Sequence, residues 1–240
     1  MSIKSIIKRL IPKSIHRTYL AVSRLKRLYY SPMKKDFWGY RASNNVLTTP
    51  VYVVTPKNVY LNENTKLETG AEIINKDCKF VIKRNSSLAR NLTVVTMNHR
   101  STVGIPHFLL GLSHVNDKEK DIIVEEDVWV GSNVTLVYGA HLSRGCIIGA
   151  NSMVNKDIPP YAVAVGSPAR IIAVKFSLEQ IIQHERKLYK EEDRTPIKVL
   201  EELFETTYKE LKVFGTDKFT EEDAIKLQNA KIKSRYVDIQ

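Results

Sequence analysis

The sequence predicts a mainly β fold in which short strands wind into a coil, with α-helical extensions at both ends. From residue 122 to residue 157 a six-residue pattern repeats without a slip, in blocks that read IIVEED, VWVGSN, VTLVYG, AHLSRG, CIIGAN and SMVNKD. A branched aliphatic residue takes the third place of each block, and an apolar or small residue takes the first. This period fits neither a 3.6-residue helix nor a hairpin, and a fixed repeat of this kind determines the whole architecture.

The same pairing of interior positions continues toward the N-terminus in a less regular form. Between residues 51 and 95 the pairs slip by three residues after Ile73, and they read Val59/Leu61, Thr65/Leu67, Ala71/Ile73, Phe80/Ile82, Ser86/Leu88 and Leu92/Val94. Residues 96–121 do not repeat and hold three of the six histidines. Loops of this length are usually functional or disordered. The repeat ends at Pro159 and Pro160, because proline cannot donate to a strand ladder.

Helices are expected on both sides of the coil. Residues 2–30 carry two apolar stripes, separated by Pro12, on Ile3, Ile6, Ile7 and Leu10 and then on Ile15, Tyr19, Val22, Leu25 and Tyr29. Three further helices are expected in the tail. The first is indicated by Ser177 as its N-cap and by the spacing of Leu178, Ile181, Ile182, Glu185 and Leu188. The second is indicated by the spacing of Leu200, Leu203, Phe204, Tyr208 and Leu211, and the third by Thr220 as its N-cap with Asp223 at the third position. These signals divide the chain into a basic helical extension (1–50), a β-coil domain (51–175) with its loop (96–121), and a helical tail (176–240).

Charge is unevenly distributed along the chain. The net charge is +11, but residues 1–35 hold ten Lys or Arg and no acidic residue, so the body is nearly neutral. This distribution argues against nucleic acid and for a docking segment at the N-terminus. The segment would either pack on its own body or a sister subunit, or lie on anionic lipid. We favour packing, because stripes of Tyr and Ile are usually part of a hydrophobic core.

Composition limits the cellular context. No run approaches 18 apolar residues, and the start lacks the apolar core and cleavage site of a signal peptide. The two cysteines, Cys78 and Cys146, do not make a disulfide framework, and Cys146 falls at an interior position of the repeat. We therefore expect a cytoplasmic protein, with contact to the inner face of the membrane as a further option.

Four motifs carry a resemblance to a known family. They are DVWVGS at 127–132, GCIIGA at 145–150, VNKDIPP at 154–160 and GSPAR at 166–170. In this order and spacing they resemble the hexapeptide-repeat acyltransferases, over about residues 59 to 176. The resemblance implies a left-handed parallel β-helix, against the right-handed rule for crossovers, and a homotrimer with active sites between neighbouring coils.

The loop resembles the histidine-bearing loop of the xenobiotic and polysaccharide O-acetyltransferase branch, through MNHRS at 97–101 and Pro106-His107-Phe108. The resemblance implies that His99 is the catalytic base. Acyl transfer from a thioester to an alcohol needs a group that takes the hydroxyl proton, and an imidazole can do so near neutral pH. Asn98 and His107 are expected to contact substrate, and His114 to position substrate or a neighbouring subunit.

No acidic partner for His99 follows from the sequence. Glu72 and Glu126 are candidates, and neither is preferred over a solvated coil edge. A Cys–His nucleophile is disfavoured, because neither cysteine shares a loop with a histidine. The histidines do not form a metal-ligand spacing, so no metal is expected.

The resemblance also implies a binding site for acetyl-CoA. Trp129, Ser132 and Ala150 match positions that line the pantetheine channel in the family, where small residues let the thin arm approach backbone amides. An amide near Ser132 would also meet the oxyanion. Cations just after the coil would hold the adenosine phosphates, and these are Lys156, Arg170 and, as a weaker candidate, Lys175.

Taken together, the resemblance implies an acetyl-CoA-dependent O-acetyltransferase that acts on a sugar hydroxyl, in surface-polysaccharide biosynthesis. Its acceptor would be a small molecule or a glycan. Two alternatives stay open. One is acetylation of an antibiotic or of an amino sugar, and the other is a non-catalytic β-helix scaffold docked at a membrane.

Overall fold

The computed structural model describes residues 13–236. The helices within this part are α1 (Lys13–Leu25), α2 (His107–Ser113), α3 (Leu178–Leu188), α4 (Ile197–Thr206) and α5 (Glu221–Ser234). The strands are β1 (Tyr40–Arg41), β2 (Val46–Leu47), β3 (Val51–Val53), β4 (Val59–Leu61), β5 (Lys66–Leu67), β6 (Ala71–Ile74), β7 (Phe80–Ile82), β8 (Ser87–Leu88), β9 (Thr93–Val95), β10 (Met97–Asn98), β11 (Lys118–Glu119), β12 (Ile122–Val124), β13 (Trp129–Val130), β14 (Thr135–Val137), β15 (His141–Leu142), β16 (Ile147–Ile148), β17 (Met153–Val154), β18 (Ala162–Val165), β19 (Arg170–Val174) and β20 (Lys212–Val213).

Three sheets of parallel strands form the sides of the coil, and the chain visits them in rotation. Their orders are β1-β4-β7-β12-β15, then β2-β5-β8-β13-β16-β18 within a larger sheet, then β3-β6-β9-β14-β17. In the regular repeat Trp129 pairs with Ile147, so one turn takes 18 residues, or three six-residue blocks. In the earlier turns Val59 pairs with Phe80, a spacing of 21 residues, which accounts for the slip in the pattern.

The interior of the coil is lined by the residue pairs that the repeat predicts. Every first- and third-position residue of the six regular blocks, and every member of the six earlier pairs, is at most 3% exposed. Cys146 is among them, and burial raises the pKa of its thiol, so it packs as a small hydrophobe. The mainly β character predicted from the repeat is therefore confirmed.

Strand pairing begins before residue 51. Tyr40 pairs with Tyr60 and Val46 with Lys66, which adds a turn of coil ahead of the expected start. The pattern misses this turn because the first strand is Tyr40–Arg41 and the small Ala42 follows it, so no large aliphatic pair marks it.

The second predicted apolar stripe does not pack on the body of the chain. It lies on α1 and on the π-helical turn that continues this helix. Leu20, Arg24 and Arg27 line a groove of about 820 Å³ with the coil. The predicted stripe lies elsewhere on the helix and is between 48% and 68% exposed, at Ile15, Tyr19, Val22, Leu25 and Tyr29. Packing on its own body is therefore wrong for this stripe, and a sister subunit or a lipid surface remains. The first predicted stripe, from Ile3 to Leu10, lies outside the described residues. Within residues 13–236 no helix is both long and apolar enough to cross a membrane.

The predicted caps of the tail are confirmed. The Ser177 side chain accepts from the Gln180 amide and that of Thr220 accepts from the Asp223 amide. Helix α4 ends at Thr206, so Tyr208 and Leu211 lie beyond the helix that their spacing suggests.

Two carboxylates fix α3 to the coil. Glu185 is buried and accepts from the Tyr161 hydroxyl at 2.8 Å and from Arg144 at 3.1 Å. Asp127 accepts from Lys175 at 2.6 Å and lies 3.0 Å from Nε2 of His184. These contacts tie the tail to the last turns of the repeat.

Candidate active site

A two-stranded ribbon places the proposed base opposite a carboxylate. β10 and β11 leave the coil and pair in antiparallel fashion, with Asn98 opposite Lys118. One step further along the same register brings His99 opposite Asp117. The two residues are thus brought together by the ribbon, although 18 positions separate them in the chain.

The base of this ribbon is anchored to the coil. Oε2 of Glu119 accepts from the amides of Asp77 at 2.9 Å and Cys78 at 3.2 Å. Oδ1 of Asp121 accepts from the Lys79 amide at 2.8 Å. Because charge-assisted bonds to backbone amides are directional, they hold the ribbon in one orientation.

Two histidines share the Asp117 carboxylate. Nδ1 of His99 lies 3.0 Å from both carboxylate oxygens, and Nδ1 of His114 lies 2.8 Å from Oδ2. The two rings are 5.5 Å apart between centroids and tilted by 33°. The side chain of Asp117 is 10% exposed, whereas those of His99 and His114 are 41% and 39% exposed, so both rings face solvent.

The charge of Asp117 determines the tautomers of its neighbours. Desolvation alone would raise the pKa of Asp117, but hydrogen bonds from His114 and His99 lower it below its usual range. The carboxylate is therefore ionised at neutral pH and can only accept. Each Nδ1 consequently carries a proton, and the Nε2 atom of each neutral ring has the free lone pair. On His99, Nε2 is the atom that can accept a proton.

Neither Glu72 nor Glu126 lies in this cluster. Glu126 pairs with Arg144 at 3.5 Å and with Lys83 at 3.8 Å, and Glu72 lines the groove beside α1. Sequence reasoning missed Asp117, because its pairing depends on the register of β10 with β11. The available signal was that it shares the histidine-bearing loop.

The other loop residues occupy separate positions. Asn98 is exposed at the end of β10. His107 begins α2, and its Nε2 lies 3.4 Å from the Ser101 hydroxyl rather than in the Asp117 cluster. The loop surface is also apolar, with the exposed side chains Val103, Phe108 and Leu112.

The predicted pantetheine-site residues lie on adjacent turns. Trp129 points outward and is 50% exposed. The Asn151 amide donates to the Ser132 carbonyl at 2.9 Å, which places Ser132 beside Ala150. A Cβ on Gly131 would lie 2.6 Å from the Ala150 nitrogen. The packing of the coil alone thus requires glycine at position 131, whether or not a ligand binds along this edge.

The predicted phosphate-binding cations differ in availability. Lys156 and Arg170 are exposed, and neither forms an ion pair in the part of the chain that the structure describes. The Nζ of Lys175 instead bonds to Asp127. Lys175 is thus the weakest of the three candidates for a phosphate, because its charge is paired with Asp127 between coil and tail.

The loop cluster and the nearby Cys78 carry groups that could bind a metal or act as a nucleophile. Donor atoms of the His99, His114 and Asp117 cluster lie within 4.8 Å of one another, close enough to share an ion, but direct hydrogen bonds already account for their arrangement. Burial raises the pKa of Cys78 to about 11, so its thiol is protonated at neutral pH and is a poor nucleophile.

The chain is similar to acetyltransferases. It is 29% identical over 138 residues to galactoside O-acetyltransferase of Escherichia coli strain K12, across 58% of this chain and 64% of that protein. It is 43% identical over 61 residues to chloramphenicol acetyltransferase of Morganella morganii, across 25% of this chain and 29% of that protein. The chain therefore spans less than two thirds of either relative. No protein-family model matches.

A solved structure supports the fold. The crystal structure of a hexapeptide-repeat-containing acetyltransferase from Vibrio cholerae, complexed with acetyl coenzyme A, matches with a TM-score of 0.52 and 21% identity, across 58% of this chain and 73% of that one. Relatives and structural neighbours are hexapeptide-repeat acetyltransferases, in agreement with the resemblance seen in the motifs.

Proposed function

We propose that this chain, whose relatives and structural neighbours are hexapeptide-repeat acetyltransferases, moves an acetyl group from acetyl-CoA to a hydroxyl of a sugar. The observation that carries the proposal is the contact of His99 with Asp117, at 3.0 Å from Nδ1 to both carboxylate oxygens. It leaves Nε2 of an exposed imidazole free to take a proton at the edge of a coil.

The reaction needs two proton transfers, the first from the acceptor hydroxyl to His99 and the second from His99 to the leaving thiolate. Nε2 of His99 takes the hydroxyl proton while the oxygen attacks the thioester carbonyl. The C–O bond forms, the tetrahedral intermediate collapses, and the C–S bond breaks. The imidazolium then returns the proton to the departing CoA sulfur. Asp117 stabilises the imidazolium and keeps the ring in the required tautomer.

The donor would lie along the edge that carries Trp129, Ser132 and Ala150. Gly131 lets adjacent turns pack closely at this edge. The pantetheine amides would pair with main-chain groups of these turns. A backbone amide near Ser132 would then stabilise the oxyanion. Lys156 and Arg170, both exposed, would bind the adenosine phosphates.

For the acceptor, we favour a sugar of a surface-polysaccharide precursor, since one relative is a galactoside O-acetyltransferase. Asn98 and His107 would contact it from the loop. An antibiotic acceptor is the second candidate, and the relation to a chloramphenicol acetyltransferase favours it. A non-catalytic scaffold is less well supported, because the His99–Asp117 pair would have no use in it.

The assembly follows from the same proposal. We infer a left-handed coil and a homotrimer in which the exposed apolar side chains of the loop, such as Phe108 and Leu112, meet a neighbouring coil. Residues 1–39 would serve as the extension, residues 40–175 as the catalytic coil, and residues 176–240 as the tail. The exposed stripe on α1 and its basic neighbours would contact a sister subunit or, as the second option in a cytoplasmic protein, the inner face of the membrane. Binding to anionic vesicles that is unchanged on deletion of residues 1–30 would exclude that contact.

The activity is tested by release of free thiol from acetyl-CoA across a panel of sugars and antibiotics. We expect turnover with a sugar, and a loss of about 10²–10⁴-fold in His99→Ala. His16→Ala, at a histidine on α1, is the matched control and should keep wild-type turnover. Wild-type turnover in His99→Ala would remove His99 as the base, and no thiol release with any acceptor would remove the activity.

A further inference from the structure

We infer that His114 is a positioning residue for the proposed base. It holds the Asp117 carboxylate in place and takes a share of the carboxylate's charge that would otherwise act on His99 alone. This inference rests on the proposed function, in which Nε2 of His99 accepts the hydroxyl proton. It adds a residue outside the matched histidine motif to the machinery of the loop.

The contacts around the carboxylate support this role. Oδ2 of Asp117 lies 3.0 Å from Nδ1 of His99 and 2.8 Å from Nδ1 of His114, so one oxygen serves both rings. Among the described residues, these two histidines are the side chains that bond to Asp117. Each Nδ1 donates, since an ionised carboxylate only accepts.

The backbone conformation at the end of α2 places His114 next to Asp117. His114 ends α2 in the left-handed conformation, with φ of 56°, and its amide donates to the Leu110 carbonyl at 2.8 Å. Leu110 is buried. Glycine or asparagine usually takes this conformation at a helix end. At His114 this conformation goes together with a ring that bonds to the Asp117 carboxylate.

The shared carboxylate has a predictable effect on His99. A second donor reduces the negative charge that Asp117 presents to the His99 ring. Removing that donor would strengthen the attraction between Asp117 and the His99 imidazolium. The base would then hold its proton up to a higher pH, so the acid limb of kcat/KM would move upward.

Two substitutions separate the imidazole from the backbone conformation. His114→Asn keeps an amide N–H at the position of Nδ1 and is suited to positive φ, and His114→Gly is equally suited but has no side chain. We expect His114→Asn to stay within about twofold of wild-type kcat with an unchanged acid limb. We expect His114→Gly to lower kcat roughly tenfold and to move the acid limb to higher pH, with KM for acetyl-CoA unchanged.

The outcomes distinguish this inference from the proposed function. Wild-type kcat and pH profile in His114→Gly would overturn the role of His114 while His99 stays the base. Loss of turnover in His114→Asn as large as in His99→Ala would also overturn it, because His114 would then be a base itself. Wild-type turnover in His99→Ala would instead defeat the proposed function. Circular dichroism and melting of both variants check that the loop still folds.

Discussion

The nearly buried carboxylate of Asp117 contacts two exposed histidine rings, and its charge determines which nitrogen on each ring is free. The sequence predicts the importance of His99 through its loop motif, but the function of that ring depends on the oxygen that holds Nδ1. The proposed chemistry therefore depends on both His99 and Asp117, although the sequence pointed only to His99.

Asp117→Asn should separate the charge from the shape of this residue. An amide can donate to Nδ1 and so favour the tautomer in which Nε2 carries the proton, which cannot act as a base. We expect kcat to fall roughly a hundredfold or more, with little change in KM for acetyl-CoA. The measurement is steady-state thiol release, with the exposed Asp217→Asn as the control. Unchanged kcat would show that Asp117 does not orient the base.

Arg170 is the second residue whose proposed role can be measured directly. Its exposed guanidinium is expected to hold a CoA phosphate, so Arg170→Ala should weaken CoA binding roughly tenfold. Calorimetric titration with CoA provides the measurement, and the wild-type affinity should fall as salt rises. Lys218→Ala, at another exposed cation, is the control. Equal CoA affinity in the Arg170 variant and wild type would place the phosphates elsewhere.

At the scale of elements, asparagines turn the corners of the coil. Asn91, Asn133 and Asn151 have φ of 58°, 58° and 60°, and they lie on successive turns. Nδ2 of Asn91 donates to Asn133 at 2.9 Å, and Nδ2 of Asn133 donates to Asn151 at 3.1 Å. Asparagine tolerates this conformation, and its amide links one turn to the next. The corner residues are thus as periodic as the interior ones.

Asn133 allows the two contributions to be separated. Asn133→Ala loses both bonds and puts at positive φ a residue that tolerates it less well than asparagine, so we expect the free energy of unfolding to fall by about 2 kcal/mol. Asn133→Gly loses the bonds alone and should cost about 1 kcal/mol. Urea denaturation at equal protein concentration measures both. Equal losses in the two variants would mean that backbone conformation contributes nothing at this corner.

At the scale of the whole molecule, the tail closes the coil through its charged network. Desolvation would raise the pKa of Asp127, but the hydrogen bond from His184 and the charge of Lys175 lower it below its usual range. A carboxyl group whose pKa is depressed on folding stabilises the folded state above its unfolded pKa, and this contribution is lost as pH falls through the folded value.

Asp127→Asn should therefore lower stability at neutral pH and have less effect in acid. We expect a loss of about 2 kcal/mol near pH 7 that shrinks as pH falls from about 4, the usual pKa of an Asp, through the lower pKa of the folded state. Thermal melting of both proteins from pH 3 to pH 8 tests this. A difference in Tm that stays constant across that range would contradict the assigned cause.

Much of the fold could be predicted because its signals are local. The interior positions recur every six residues, and the caps Ser177 and Thr220 act on amides within their own first turn. Burial of the repeat follows from side-chain chemistry alone. The extra turn that begins at Tyr40 was missed, because Ala42 stands where a large aliphatic residue would have marked it.

The sequence by itself determined the coil and the helices that follow it, since each depends on residues close together in the chain, and the resemblance of its loop motif made His99 the proposed base. Only the tertiary structure decided that Asp117 and His114 meet His99, that Lys175 bonds to Asp127, and that the stripe on α1 stays exposed. These outcomes depend on which distant segments pair and in what register. No local period encodes that pairing, because the energy of a contact appears only when the chain has closed the loop between its partners.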